Sequence, residues 1–229
     1  VVVIQAGSAI DMSSWIDKVK GVVFAWFTGQ AGGSAIAEIL FGLSNPCGKI
    51  AETFPLKIED TPSYATYPGN GYASWYAEGI MVGYRYYDTY NKDVLFPFGH
   101  GLSYTTFEYK DLTITPDTAS EENEINVKFR IKNTGNMQGK EIVQLYVKDT
   151  HSKALRPDKE LKAFCKIDLK PGEEKEVEFK LDKSAFAYFN TSFNDWHVES
   201  GRFKILIGSS SRDIRLKGNV YIKSNFDYS

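Results

Sequence analysis

The sequence is poor in the residues that most often betray a function. It has two cysteines and three histidines in 229 residues, and a net charge of −2. Cys47 and Cys165 lie far apart and make no disulfide framework, so two free, mostly buried thiols are expected. His100, His151 and His197 share no metal-ligand spacing, and no metal is expected. Acids and bases are spread along the chain, without the basic stripe that nucleic acid requires. No apolar run approaches the ~20 residues of a membrane span. Ser8, Ser13 and Ser14 lack a G-x-S-x-G elbow, which disfavours a serine hydrolase. "FTGQAGGSAIAEIL" is glycine-rich, but it has neither G-x-G-x-x-G nor a P-loop lysine. Its glycines read as tight strand-to-helix packing, and no cofactor is expected.

What is present falls into three grammars. Residues 1–56 alternate strand and helix: "VVVIQAG" and "GVVFAWFTG" as buried strands, "MSSWIDKVK" as a Ser-capped turn or short helix, "GGSAIAEILFG" as a helix closed by Gly42, and "KIAETFP" as a third strand. Ala35, Ile36, Ile39 and Leu40 share one helical face. This is βαβ grammar and implies part of a doubly wound parallel sheet. A chain that opens on an apolar strand reads as a piece of something longer, which leaves its compartment unknown.

Residues 57–109 show no period but are dense in Tyr, Gly and Pro. Large aromatics bury large areas, so an ordered connecting segment packed on a larger body is expected. Residues 110–229 alternate apolar and polar in seven short segments separated by turn signals. That pattern fits an antiparallel β-sandwich of immunoglobulin or fibronectin type III kind.

None of the carboxylates Asp11, Glu38, Glu52, Glu78 and Asp88 is assigned a catalytic role. Glu78 and Arg85 are expected to pair as a structural ion pair that pins the connector. His100, inside "LFPFGHGLSY", reads as structural. Trp15, Trp26 and Trp196 are expected in the core, with Trp75 the candidate exception. Asn190 starts an N-T-S sequon, which matters only in a secreted eukaryotic protein.

Several motifs carry a family likeness. Gly29-Gln30, Leu40-Phe41-Gly42, Asn45-Pro46, Gly48-Lys49 and Thr53-Phe54-Pro55 resemble the second-domain signature of glycoside hydrolase family 3, the β-glucosidase family. Glu78–Tyr87 resembles its E-G-I-x-V-G-Y-R-Y-Y motif, and Phe96–Phe107 its F-P-F-G-x-G-L-S-Y-T-x-F motif. The remainder is similar to the fibronectin type III-like domain that ends many members. The resemblance implies a retaining β-glucosidase-type hydrolase, with β-xylosidase or another exo-glycosidase of the family as the alternative. It also implies an N-terminal (β/α)8 barrel carrying the nucleophile, an Asp in S-D-W, and an acid/base Glu ahead of the strand matching "VVVIQAG".

This sequence contains no S-D-W. Neither catalytic group is therefore carried onto any position here, and the sugar-binding residues are unknown. The chain alone is expected to be inactive and able to self-associate through a cut sheet edge. The rival reading from another class is a non-catalytic module that binds carbohydrate or a partner.

Overall fold

A computed structural model describes residues 1–225. In the first section β1 (Val2–Ile4) and β2 (Val22–Phe24) run parallel, in register Val2 with Val22 and Ile4 with Phe24. A single 3-10 turn over Ile16–Lys18 lies between them, where the sequence suggested a Ser-capped turn or helix. Asp11, not a serine, organises it: its Oδ1 accepts from the Ser13 amide at 2.8 Å and the Ser13 hydroxyl at 2.6 Å. A short acidic side chain that bonds its own backbone two residues on stabilises a turn in preference to a helix.

Helix α1 (Gly32–Leu40) follows β2. It ends in a Schellman arrangement, with Gly42 N–H donating to Ile39 O and Leu43 N–H to Glu38 O, and Gly42 at φ +71°. Of its expected apolar face only Ile36 and Ile39 are half-buried, while Ala35 and Leu40 are exposed.

The third strand differs from the expectation of a parallel neighbour. β3 (Phe54–Pro55) pairs antiparallel with β4 (Val94–Phe96), a strand of the connector. Pro55 has no N–H to extend a ladder, so the pairing stops at two residues. Edge-to-face stacking of Phe24 on Phe54 (5.1 Å) and Phe54 on Phe96 (6.1 Å) joins this ribbon to the parallel pair. Ile4, Met12 and Phe54 form the small core of the section. The parallel pair is covered less completely than a continuous apolar run predicts: Val1 and Val3 are exposed.

The connector divides in two. Tyr64, Tyr67, Tyr72, Trp75 and Tyr76 are exposed, contrary to the expectation that the aromatics are buried throughout. From Met81 onward it packs closely: Met81 and Tyr87 are buried, and α2 (Tyr84–Thr89) leads into β4.

The sandwich begins at β5 (Phe107–Thr115), followed by β6 (Thr118–Ser120), β7 (Ile125–Asn133), β8 (Gly139–Asp149), β9 (Glu160–Leu169), β10 (Glu174–Leu181), β11 (Tyr188–Asn190), β12 (Asp195–His197), β13 (Gly201–Gly208) and β14 (Ile214–Lys223). All seven expected strands form. One sheet has the order β10-β7-β5 and the other β6-β14-β13-β8-β9. β11 and β12 make a separate hairpin.

The alternation is visible residue by residue. Ile125, Val127, Phe129 and Ile131 of β7 are buried, as are Val143, Leu145 and Val147 of β8 and Phe203, Ile205 and Ile207 of β13. Each points to the space between the sheets.

On β8 the intervening residues Gln144 and Tyr146 are buried too. Phe98 stacks against Tyr84, which meets Tyr146 edge-on at 5.9 Å, so the outer face of this sheet is where the connector docks.

Replacing Ile131 by Ala is expected to cost about 2–5 kcal/mol, as for buried aliphatic truncations. The half-buried, salt-bridged Lys128→Ala, whose pair with Glu178 is open to solvent, should cost no more than about 1 kcal/mol. Urea denaturation of the two variants measures the contrast.

Candidate functional site

The motif residues converge on the seam between the α/β section and the sandwich. Asn45 sits at its centre. Its Nδ2 donates to Gln138 O at 3.1 Å, and its Oδ1 accepts from Ser103 Oγ (3.0 Å) and the Tyr104 amide (2.8 Å). The Tyr104 hydroxyl donates to Ile39 O, tying helix α1 to the same point.

Asn133, fully buried at the end of β7, uses its whole side chain. Nδ2 donates to Met137 O and Leu169 O, while Oδ1 accepts from Thr105 Oγ1 and the Gly135 amide. Gln144 Nε2 donates to Gly99 O and Ser209 O, and its Oε1 accepts from the Tyr146 hydroxyl. Buried amides persist only when partnered in this way.

Gly99 has φ +81°, and a Cβ there would collide with the Gln144 amide. At Gly101 a Cβ would meet Gly48 O, the neighbour of Lys49. These two close approaches explain the glycines of "FGHGLSY".

Charge completes the seam. Asp88, with its side chain 4% exposed, lies between Arg212 Nε (2.7 Å) and Lys159 Nζ (3.0 Å). Arg212 also donates to Tyr87 O and Lys92 O, closing the end of α2. Arg85 pairs with Glu160 of β9 at 3.3 Å. The expected partner Glu78 is not its partner: the pairing runs across to the sandwich, not along the connector. The Thr89 hydroxyl accepts from the Asp158 amide, and the Tyr84 hydroxyl from the Leu161 amide.

A small cleft of about 270 Å³ opens on the seam, lined among others by Lys49, His100, Tyr109, Glu141 and Arg215. Lys49 Nζ donates to Gly101 O and lies 3.5 Å from Glu141. The Tyr109 hydroxyl donates to Glu141 Oε1 at 2.8 Å. Burial holds the Glu141 carboxyl above its ordinary range, against the opposing pull of Lys49 and Tyr109. His100 stacks on Phe96 at 5.2 Å, and its backbone pairs with Ile50 and Pro97. Burial, then the charge of Lys49, lowers its pKa and favours the neutral ring. These contacts pack it at the seam.

The other candidates are dispersed. Asp11 serves the first turn, and Glu38 accepts from Ser44 Oγ on the exposed side of α1. Glu52 Oε1 and Glu78 Oε2 are buried without a hydrogen-bond partner among the described residues. Trp75 and Trp196 are both exposed, which departs from a core position for Trp196. Cys47 and Cys165 are free and partly exposed, not mostly buried. His151 lies in a loop with Nδ1 at 2.9 Å from Thr150 Oγ1, and His197 is in β12. No group of three or more His, Cys, Asp or Glu able to hold a metal occurs among the described residues. Arg212, Asn133 and Gln144 were not singled out from sequence. Asn133 and Arg212 border the turn signals "NTGNMQG" and "SSSRD", and Gln144 lies in the strand "GKEIVQLYVKD"; turn, strand and a likeness to the fibronectin type III-like domain are all the sequence shows of them.

Asp88→Asn leaves Arg212 and Lys159 facing a neutral amide at the seam. Removing one member of a buried pair costs about 3 kcal/mol or more. Thermal unfolding is expected to fall in midpoint and to separate into two steps, with near-ultraviolet circular dichroism following the connector tyrosines.

Residues 1–104 match the Glycosyl hydrolase family 3 C-terminal domain, and residues 141–211 the Fibronectin type III-like domain. The chain is 58% identical to thermostable beta-glucosidase B of Acetivibrio thermocellus over 224 residues, covering 98% of this chain and 30% of that protein. It is 46% identical to an exo-alpha-(1->6)-L-arabinopyranosidase of Bifidobacterium breve, covering 93% of this chain and 28% of that one. The fold superposes on the crystal structure of the Bifidobacterium adolescentis GH3 beta-glucosidase with a TM-score of 0.92 and 43% identity, covering 96% of this chain and 32% of the other. The chain thus spans about a third of the length of the relatives it matches. Both matched domains, in this order and joined by the seam described above, show that the chain belongs to glycoside hydrolase family 3 and carries that family's C-terminal domain and fibronectin type III-like domain.

Proposed function

We propose that this chain is the structural rear of a retaining exo-acting β-glucosidase, working with a preceding barrel that supplies the nucleophile. The observation that carries this reading is the superposition on a family 3 β-glucosidase across both parts of the chain. A retaining glycosidase needs two carboxyl groups about 5–5.5 Å apart, one to attack the sugar carbon and one to protonate the leaving oxygen. The chain's own carboxylates fit other tasks: Asp88 and Glu160 bind across the seam, and Glu141 is enclosed by Lys49 and Tyr109. Its contribution is to hold the α/β section rigidly, so that residues from elsewhere meet in fixed geometry.

The division into 1–56, 57–109 and 110–229 belongs to the same proposal; the first sandwich strand, β5, starts at Phe107, three residues ahead of the last boundary. The arabinopyranosidase relative favours a second reading, a family 3 exo-glycosidase for another sugar.

Exposed apolar side chains on both leading sections suit a large protein neighbour. Phe27, Phe41 and Leu43 of the α/β section and Tyr67, Tyr72 and Tyr76 of the connector all face solvent. Isolated proteins rarely leave such apolar surface uncovered.

The test is expression of the complete reading frame beside the 229-residue chain, both assayed on aryl β-glycosides. The complete protein should release the aglycone from a β-glucoside, and the chain alone should release none and self-associate in light scattering. Turnover by the isolated chain would overturn the reading. Inactivity of the complete protein on every β-glycoside would do the same.

A further inference from the structure

A second concave surface lies on the sandwich. The hairpin of β11 and β12 stands opposite the loop 150–156 and encloses about 620 Å³, inside the roughly 300–1,000 Å³ typical of small-ligand sites. We propose that this concavity is a binding site for a neutral oligosaccharide, a glucan chain in particular.

The site is built, not merely uncovered. On the loop side, Glu199 Oε2 accepts from Ser152 Oγ at 3.0 Å and from the Lys153 amide at 3.0 Å. Thr150 Oγ1 donates to Arg202 O at 2.7 Å. On the hairpin side, the Tyr188 ring is backed by Arg156, whose guanidinium lies 5.6 Å from the ring centre. Arg156 is itself buried, bonded to Phe186 O and paired with Asp149 and Glu160. The His197 ring meets Tyr188 edge-on at 5.7 Å. Both walls are therefore fixed by bonds that no ligand supplies.

The chemistry of the lining selects the ligand. Phe193 is an exposed aromatic ring 6.4 Å from His197, on the face that carries Tyr188, whereas Phe189 and Trp196 pair on the hairpin's other face. Aromatic faces of this kind offer apolar area of defined geometry, which suits the C–H faces of a pyranose ring. Polar groups share the wall: Asn190, Lys153, His151 and Ser200. Glu199 offsets Lys153, so no cluster of cations favours a phosphate or other anion. The polar share of the lining does not suit a lipid chain. A polyhydroxylated, uncharged ligand satisfies both kinds of surface at once.

The choice of glucan as the probe rests on the hydrolase reading. The site rests on the hairpin geometry alone. The test is native affinity electrophoresis of the protein expressed from its complete reading frame, through gels containing soluble mixed-linkage β-glucan, with cellotetraose as competitor. Retardation is expected, reversed by competitor near about 1 mM, a weak affinity of about 4 kcal/mol. Phe193→Ala should weaken retention about tenfold with the far-ultraviolet circular dichroism unchanged. Tyr188→Phe should keep it.

Absence of retardation, or equal retardation of the Phe193→Ala variant, overturns the proposal. So does protection of Phe193 from hydroxyl-radical labelling before any sugar is added, since a segment of protein then fills the site. Loss of hydrolysis with retention intact rejects the hydrolase reading and leaves the site standing. Hydrolysis without retention does the reverse.

Discussion

Everything in this molecule depends on a seam held by side-chain amides and ion pairs that reach from one part of the chain to the other. Asn45, Asn133 and Gln144 are amides set where two bodies meet, and each has one bond that crosses the joint, to Gln138 O, from Thr105 Oγ1 and to Gly99 O respectively. An amide buried without partners costs about 1–3 kcal/mol, more than a hydrogen bond returns, so the buried Asn133 and Gln144 tolerate no partial fit. The pairs Asp88–Arg212, Asp88–Lys159 and Arg85–Glu160 obey the same rule with charge, where the penalty for a lost partner is larger.

The sandwich was legible because its code is local. Ile125, Val127, Phe129 and Ile131 alternate with polar residues, and period two leaves little choice of which face turns inward. The same code failed on β8, where Gln144 and Tyr146 belong to the outward set yet are buried. Their burial comes from Tyr84, Phe98 and Gly99, about fifty residues earlier in sequence, and no local pattern reports it. The parallel pair was read correctly as strands, whereas β3 was given the wrong neighbour. Nothing in "KIAETFP" says that Val94–Phe96 will return to pair with it.

The candidate residues show the same division. Motif positions such as Asn45, Lys49, Gly99 and Gly101 were visible as a family likeness, but their task was not. The structure assigns them to joining the two parts, which accounts for motifs that contain few groups suited to acid–base work. Arg85 illustrates the limit: a nearby acid in sequence, Glu78, was the natural partner to expect, and the actual one is Glu160 of β9. Trp196 illustrates another. In a short hairpin both faces cannot be buried by one sheet, and the outer pair Phe189–Trp196 remains in solvent.

The contact between Gly99 and the Gln144 amide, like that between Gly101 and the carbonyl of Gly48, leaves no room for an added methyl group. Surfaces that meet at such distances cannot slide or swing past one another; the sandwich is a splint, not a tether. Inheritance is constrained accordingly. Substitutions on one bank of the joint survive only with a matching change on the other, so a chimaera assembled from two relatives should cut its polypeptides away from this joint and carry both banks from a single parent.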